Sequence, residues 1–215
     1  MEQIKFCKQH KKWTFSDWKK VIFLDESKFN LFGSDSSQAV WCNSALRLDS
    51  QNINAVKKFG GGNLMIWGCI TPTGVSKILR VINKIDSNKY CKTLYNGFIK
   101  TCEIYNYNLS DIIFMHDNAS CHNSKKTKEW IYTNNINVLK WPANSPDINI
   151  IENVWELLKR KIKRSSIKFS NSDQLWDFIE KEWYAIPKEY IKKLYFSMCS
   201  RIKAVIKAKG QATKY

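Results

Sequence analysis

Three carboxylates stand at positions in the sequence from which they could act together on a phosphate. Asp25 follows the apolar run VIFL, Asp117 follows IIFMH, and Glu152 lies in the first turn of an amphipathic segment. An apolar run that ends in an aspartate is typical of a buried strand that delivers a carboxylate to the edge of a sheet. Three acidic groups held together repel one another unless a cation neutralises them, and hard oxygen ligands of this kind suit magnesium or manganese. Two such ions can activate an attacking oxygen and stabilise a leaving one at a phosphate.

Each carboxylate also has an ordinary structural explanation. An aspartate that closes a strand is a common turn or helix-cap residue. Glu152 lies beside an apolar stripe of helical spacing, so we expect it to face outward on a polar, partly basic side of its helix, as in any surface helix. The stripe consists of Ile151, Val154, Trp155, Leu158 and Ile162.

Short strands and helices must position these carboxylates. Apolar runs bounded by turn residues predict strands at 20–27, 28–33, 60–71, 75–82, 112–118 and 137–141. Periodic segments and caps predict helices that begin near Ser16 or Asp17, at Asp86 or Ser87, at about Lys125 and at about Ile151. Tight turns between the early strands predict an antiparallel meander, whereas the strand–helix–strand order from 112 to 141 predicts parallel pairing. The predicted fold class is α/β, with a mixed sheet flanked by helices and a helical C-terminal part.

Four motifs, in this order, resemble the catalytic domain of transposases of the Tc/mariner superfamily. They are LDES at 24–27, GGGNLMIWG at 60–68, HDNASCH at 116–122 and WPANSPDINIIENVW at 141–155. The 34 residues between Asp117 and Glu152 match the spacing typical of the Tc-like branch. The resemblance implies a ribonuclease H-like fold in which Asp25, Asp117 and Glu152 bind two divalent ions, Mg²⁺ or Mn²⁺.

The resemblance also implies an activity and its partners. Family members cleave double-stranded DNA, transfer the resulting 3′-hydroxyl to a target at TA dinucleotides, and work as dimers in cut-and-paste transposition. We therefore expect DNA transposition and integration in the nucleus, with transposon ends and target DNA as partners and a homodimer as the assembly. Two departures from the family pattern are Cys42, where arginine is usual, and Ser120, where proline is usual.

The domain organisation follows from length and from the resemblance. A chain of 215 residues with 44% hydrophobic content is enough for one well-packed domain. We expect residues 1–19 to be the end of a linker, 20–210 to form the catalytic domain with a clamp-like loop at about 42–58, and 211–215 to be a tail. The helix-turn-helix modules that precede the linker in the family are absent from the sequence, so we expect a fragment, or a decayed or separately used catalytic domain.

The net charge points to a polyanionic partner. The chain has 35 Lys and Arg against 19 Asp and Glu, a formal charge of +16, and a phosphate backbone is the simplest partner for such an excess. The segment KRKIKR supplies candidate DNA contacts at Lys159, Arg160, Lys161, Lys163 and Arg164. Basic residues from Arg201 onward could track the same backbone. The alternative for each of these runs is a solvated face. No apolar run reaches membrane length and the N-terminus lacks a signal-peptide core, so we expect an intracellular protein without a membrane partner.

Two polar residues near Asp117 are candidate assistants. Asn118 and His122 could contact phosphate or orient a water, or alternatively Asn118 caps the turn and His122 begins the next helix. The seven cysteines form no CxxC pair and no zinc-like pattern with the histidines, so we interpret them as reduced thiols.

Two other functions are compatible with parts of this sequence. A catalytically silent remnant of a transposase would bind DNA without metal-dependent cleavage. A ribonuclease H-like nuclease acting on RNA–DNA hybrids would share the carboxylates, but the motifs above argue against it. The intact trio Asp25, Asp117 and Glu152 favours retained chemistry.

Overall fold

One mixed sheet organises the molecule. The computed structural model describes residues 2–31, 62–82, 85–211 and 213–215. Within these ranges the strands are β1 (Val21–Asn30), β2 (Asn63–Thr71), β3 (Gly74–Val75), β4 (Leu79–Val81) and β5 (Ile113–Met115). Their order is β3-β2-β1-β5, and β4 also pairs with β2. Because β1 is antiparallel to β2 and parallel to β5, both predicted kinds of pairing are confirmed.

The first strand is longer than predicted. A single strand covers Val21–Asn30, in place of two strands at 20–27 and 28–33. The reason is an unbroken ladder with β2, which pairs every residue from Phe23 to Asn30. Asp25 therefore lies in the middle of a strand and does not close one.

Two other predicted strands are shortened. The run at 75–82 is interrupted between β3 and β4, because the Ser76 hydroxyl accepts the Cys69 N–H at 2.9 Å and takes a position that a ladder carbonyl would hold. The run at 137–141 is reduced to one parallel bridge between Val138 and Phe114.

Eight α-helices surround the described part of the sheet. They are α1 (Glu2–Gln9), α2 (Phe15–Trp18), α3 (Ser87–Thr93), α4 (Lys100–Ile104), α5 (Lys125–Thr133), α6 (Ile151–Arg164), α7 (Ser172–Tyr184) and α8 (Lys188–Lys207). A π-helical turn, Leu94–Ile99, joins α3 to α4. It contains Gly97, where an added Cβ would lie 2.0 Å from the Trp67 ring, so this tight approach needs a glycine.

The sheet separates two hydrophobic cores, and β1 contributes to both by alternation. Phe23 and Phe29 face the core that contains the buried side chains of α6, α7 and α8. Ile22 and Leu24 face the core that contains those of α3, α4 and α5. By the same alternation, Asp25 belongs to the face covered by α6.

The N-terminal segment packs against the C-terminal helix. Helix α1 buries Phe6 and Cys7 and contacts α8, so the segment predicted as a linker end is helical at its start. The cap of α2 is Thr14, whose capping box with Asp17 replaces the predicted cap at Ser16 or Asp17. The clamp-like loop predicted at 42–58 lies outside the described residues, and the predicted domain boundaries stay a prediction. Among the described helices, none combines the length and apolar character that crossing a membrane requires.

Candidate active site

The central strand presents Asp25 beside a layer of tryptophan rings. Asp25 pairs in register with Gly68 on β2. An added Cβ at Gly68 would lie 2.8 Å from the Trp183 ring and 3.0 Å from the Trp155 ring. These two rings, from α7 and α6, stack with centroids 5.1 Å apart. The absence of a side chain at Gly68 thus allows α6 and α7 to pack closely over the sheet next to Asp25.

Helix α6 brings Glu152 to this carboxyl. The predicted stripe is confirmed, because Ile151, Val154, Trp155 and Leu158 are buried. Glu152 is half-buried, and its carboxylate lies close enough to Asp25 that its charge raises the pKa of Asp25. The expectation that Glu152 faces outward holds in part: Glu152 keeps part of its surface exposed and lines a cleft with Glu156, but α6 packs against β1, so its first turn also lies next to the sheet.

The pair of carboxyls strongly favours a proton or a cation. Burial raises the pKa of Asp25 to about 8, the charges of Glu152 and Glu26 add to this increase, and the Glu26 N–H opposes it. Such a pair of hard oxygen donors suits Mg²⁺ or Mn²⁺, which removes the repulsion that the proton otherwise relieves.

Asp117 follows the neighbouring parallel strand. The last β1–β5 pair is Phe23 with Met115, and Asp25 and Asp117 each lie two residues beyond it. The Asp117 side chain is 57% exposed, and its Oδ1 lies 2.6 Å from His122 Nδ1 and accepts the Ala119 N–H at 3.0 Å. The hydrogen bond from His122 lowers the pKa of Asp117, so this carboxylate is ionised at neutral pH.

His122 is buried between two carboxylates. Its Nε2 lies 3.7 Å from Glu26 Oε1, and its ring stacks on Tyr90 with centroids 3.9 Å apart. Burial alone would lower the pKa of His122, but the hydrogen bond to Asp117 and the nearby Glu26 carboxylate outweigh it and raise the pKa to about 10. The imidazolium therefore holds the Asp117 carboxylate. The alternative in which His122 begins a helix is wrong, because α5 begins at Lys125 after a Ser124 cap.

The other candidate assistant has a structural contact. Asn118 Nδ2 donates to the Trp141 carbonyl at 3.0 Å, which ties the segment after β5 to the loop that leads toward α6. Glu26 is a further residue of the site that was not predicted from the sequence. Because side chains alternate along a strand, Glu26 lies on the face of β1 opposite to Asp25. A half-buried acid at that position needs a basic partner, so the alternation could have indicated an interaction with a residue such as His122.

The structure brings together two of the three predicted ligands. In the described ranges no group of three or more His, Cys, Asp or Glu side chains is close enough to hold a metal ion. Glu152 lies close enough to Asp25 to raise its pKa, while Oδ1 of Asp117 is bonded to His122. Both side-chain hydrogen bonds of Asp117 use Oδ1, and within the described residues no hydrogen bond reaches Oδ2. The Asp25 and Glu152 carboxyls are donors of the kind that a hard divalent cation prefers, and Asp117 stands apart from them, bonded to His122.

The predicted DNA contacts on α6 differ in exposure. Arg160, Lys163 and Arg164 are exposed. Lys161 is half-buried and forms an ion pair with Glu182, and the Lys159 amine lies 5.9 Å from the centre of the Phe29 ring. The first three are thus accessible to a polyanion, whereas the last two also serve the packing of α6.

Comparisons with known proteins agree with this arrangement. Residues 20–176 match the family described as DDE superfamily endonuclease. The chain belongs to this family. The Tc1 transposase of Caenorhabditis elegans is 36% identical over 215 residues, which cover 100% of this chain and 77% of that protein. The Tcb1 transposase of Caenorhabditis briggsae is 36% identical over 214 residues, which cover 99% of this chain and 77% of that protein.

Solved structures of this family confirm the fold. The catalytic domain of Mos1 mariner transposase superposes with a TM-score of 0.75 at 15% identity, covering 99% of this chain and 94% of that one. The Mos1 paired-end complex with Mn gives a TM-score of 0.79 at 14% identity, and this DDE chain covers 63% of the Mos1 chain in it. The ribonuclease H-like architecture is therefore confirmed, and the chain is a DDE transposase catalytic domain of the Tc1/mariner type.

Proposed function

We propose that this domain cleaves DNA strands and transfers their 3′-hydroxyl ends in cut-and-paste transposition, with Asp25, Asp117 and Glu152 as the ligands of two divalent ions. The observation that carries the proposal is that α6 packs on β1 and brings Glu152 close enough to raise the pKa of Asp25, in a chain of the DDE family. Bound Mg²⁺ or Mn²⁺ would supply Lewis-acid stabilisation of the attacking and leaving oxygens. Mos1 catalytic domains solved with Mn and with Mg support this choice of ions.

The protein's own groups have separable roles. Asp25, whose raised pKa lets it keep a proton without metal, and Glu152 would offer oxygens from β1 and α6. The Asp117 carboxylate is oriented by His122 and the Ala119 N–H, which leaves Oδ2 as the donor from the third element. A histidine that orients a ligating carboxylate typically has a large effect on metal affinity.

The proposed DNA surface runs along α6. Lys163 lies eleven residues, about 16 Å, beyond Glu152 and is turned only about 20° from it around the helix, whereas Arg160, eight residues beyond, is turned by about 80°. Both side chains are exposed, so both can reach phosphates that flank a scissile bond. The net charge of +16 supports a strong, salt-sensitive affinity for DNA.

The finer features of the proposal come from the relatives. We extend to this chain the TA target, the homodimer and a nuclear location that the family resemblance implies. The Mos1 structures that support a DNA-bound assembly include a paired-end complex with the left transposon end and a strand transfer complex. The comparisons do not favour the alternative of a catalytically silent remnant.

Nicking of supercoiled plasmid by the purified chain tests the proposal. We expect nicks with Mn²⁺ or Mg²⁺, none with a chelator, and a loss of at least about 100-fold in Asp117→Ala and Glu152→Gln, since each removes a metal ligand. The matched control is Asp177→Asn, an exposed acid on α7, which should retain full activity. Folding of each variant is checked by circular dichroism.

Two outcomes would contradict the proposal. Nicking that persists in Asp117→Ala would assign the cleavage to something other than this site. A folded chain that binds DNA in a salt-dependent manner but never nicks it with either metal would favour the silent remnant.

A further inference from the structure

A buried arginine on α8 forms hydrogen bonds with the segment that contains Glu152. Arg201 is only 2% exposed, so it is not available for the DNA contact that the sequence predicts for the C-terminal basic residues. Its Nη1 donates to the Asp147 carbonyl at 2.7 Å, and its Nη2 donates to Asn153 Oδ1 at 2.6 Å. Its Nε donates to Ser197 on its own helix at 2.8 Å. The two terminal nitrogens therefore hold positions on either side of Glu152 in the sequence.

The held segment has little capping of its own. A 3-10 turn, Pro146–Ile148, leads into α6. The N-cap residue of α6 is Ile150, whose apolar side chain cannot accept a capping hydrogen bond. Two backbone bonds, from Asn149 N to Pro146 O at 3.1 Å and from Glu152 N to Asn149 O at 3.2 Å, shape this entry. In the described part of the chain, the side-chain donors at this entry thus come mainly from other elements.

Further contacts converge on the same turn. The Asp147 carboxylate accepts hydrogen bonds from Thr213 at 3.2 Å and from Gln3. The Tyr215 ring lies over the Arg201 guanidinium, with 4.6 Å between Cζ and the ring centroid. Residues near both ends of the sequence therefore pack around Arg201 and Asp147. This packing keeps water away from the hydrogen bonds of Arg201 and so strengthens them.

We infer that Arg201 is a positioning residue that sets the first turn of α6 against β1, so that Glu152 meets Asp25. The inference rests on the proposed metal-binding role of Glu152. Burial of Ile151 and Val154 packs the first turn of α6 onto the core, and the guanidinium fork adds directional hydrogen bonds on either side of Glu152. A planar fork can hold two acceptors at once, which the single ammonium of a lysine cannot do with the same geometry.

Mn²⁺ affinity of the full chain, measured by calorimetry, tests this role apart from catalysis. We expect Arg201→Met to weaken Mn²⁺ binding by about 10-fold or more, as for other residues that support metal ligands. Arg201→Lys should recover part of the loss, because it restores one donor. The matched control is Tyr195→Phe on the same helix, which removes a buried hydroxyl bonded to the Val21 and Ile70 carbonyls at 2.8 and 2.9 Å. It should lower stability but leave the affinity within about twofold of wild type.

Hydrogen exchange without metal gives a second readout. In Arg201→Met, the amides of Asn149 and Glu152 should exchange at least about 10-fold faster, while those of α7 stay unchanged. Wild-type Mn²⁺ affinity in the variant, or a uniform increase of exchange over the whole domain, would overturn the positioning role. If wild type itself bound no Mn²⁺, the proposed function would fail, and exchange confined to residues 146–153 would still show that Arg201 holds the turn.

Discussion

Replacing Asp25 with asparagine should make the metal-free domain more stable. The folded-state pKa of Asp25 is about 8, against an ordinary value of 3.8. Between these two pH values the folded state keeps a proton that the unfolded state has lost, so the free energy of unfolding falls as the pH rises. One pKa unit corresponds to about 1.36 kcal/mol, so the lost stability reaches roughly 4 kcal/mol at pH 7 and roughly 1–2 kcal/mol at pH 5.

The assay is urea unfolding of wild type and Asp25→Asn in a chelator from pH 5 to pH 8. We expect the variant to gain about 2–4 kcal/mol at pH 7, since an amide carries no charge to bury but gives up part of the hydrogen bonding. With a urea slope of about 2–3 kcal/mol/M, the midpoint moves up by about 1 M. Taking the difference between two chains cancels the contributions of other titrating groups such as His116 and His122.

Metal and a control variant sharpen the result. Mn²⁺ should raise the midpoint of wild type, because it binds only the folded state, and should not raise that of Asp25→Asn. Asp177→Asn, an exposed acid on α7, should show the wild-type pH profile. A variant that is less stable than wild type at pH 7 without metal, or a stability difference that does not change with pH, would refute the argument that burial and Glu152 together destabilise the ionised Asp25.

Three further predictions follow from the geometry around the site. Gly68→Ala should destabilise the domain by about 1–3 kcal/mol in urea unfolding, because its methyl group meets two indole rings; an unchanged midpoint would mean that α6 and α7 can move apart. In NMR titrations from pH 5 to pH 9, His122 should stay protonated, since its pKa is about 10, and His116 should stay neutral, since burial and the charge of His122 lower its pKa to about 4. A midpoint near 6.5 for either ring would contradict the hydrogen bonds and burial described. In DNA-binding titrations at several salt concentrations, Arg160→Ala should reduce the slope of log K against log salt concentration by about 1. Lys161→Ala should change this slope less, because that lysine is paired with Glu182. Equal slopes in the two variants would mean that the DNA does not contact Arg160.

The sequence was most informative where apolar residues recur at a regular helical or strand spacing. The apolar stripe of α6 predicted its buried face correctly, and the order of strands and helices predicted both kinds of strand pairing. The prediction of strand ends failed where the end depends on a pairing partner that is distant in the sequence. Strand β1 continues to Asn30 because β2 supplies a partner for each residue, and no local pattern in 28–33 indicates this. For the same reason Asp25 lies within a strand.

The site itself was only partly accessible from the sequence. Residue types and spacing indicated the three carboxylates, but the direction of a side chain depends on packing that is distant in the sequence. Glu152 lies next to the sheet because α6 lies across β1, and Asp117 is turned toward His122 because that imidazole is buried beside Glu26. In the sequence, Arg201 could not be distinguished from the exposed lysines that follow it, because no local pattern indicates that a basic residue will be buried.

The energetic cost of the carboxyl pair is itself an argument about function. A fully buried large apolar side chain contributes roughly 1.5–3 kcal/mol, so Trp155 and Trp183 together offset a cost of about 4 kcal/mol at Asp25. The domain can therefore keep Asp25 next to these rings and remain folded. Folding does not require the pair, because an amide at position 25 would be more favourable. A chain selected only for a stable DNA-binding scaffold would gain by losing Asp25, and its presence opposite Gly68, close to Glu152, supports a site used for chemistry with a cation.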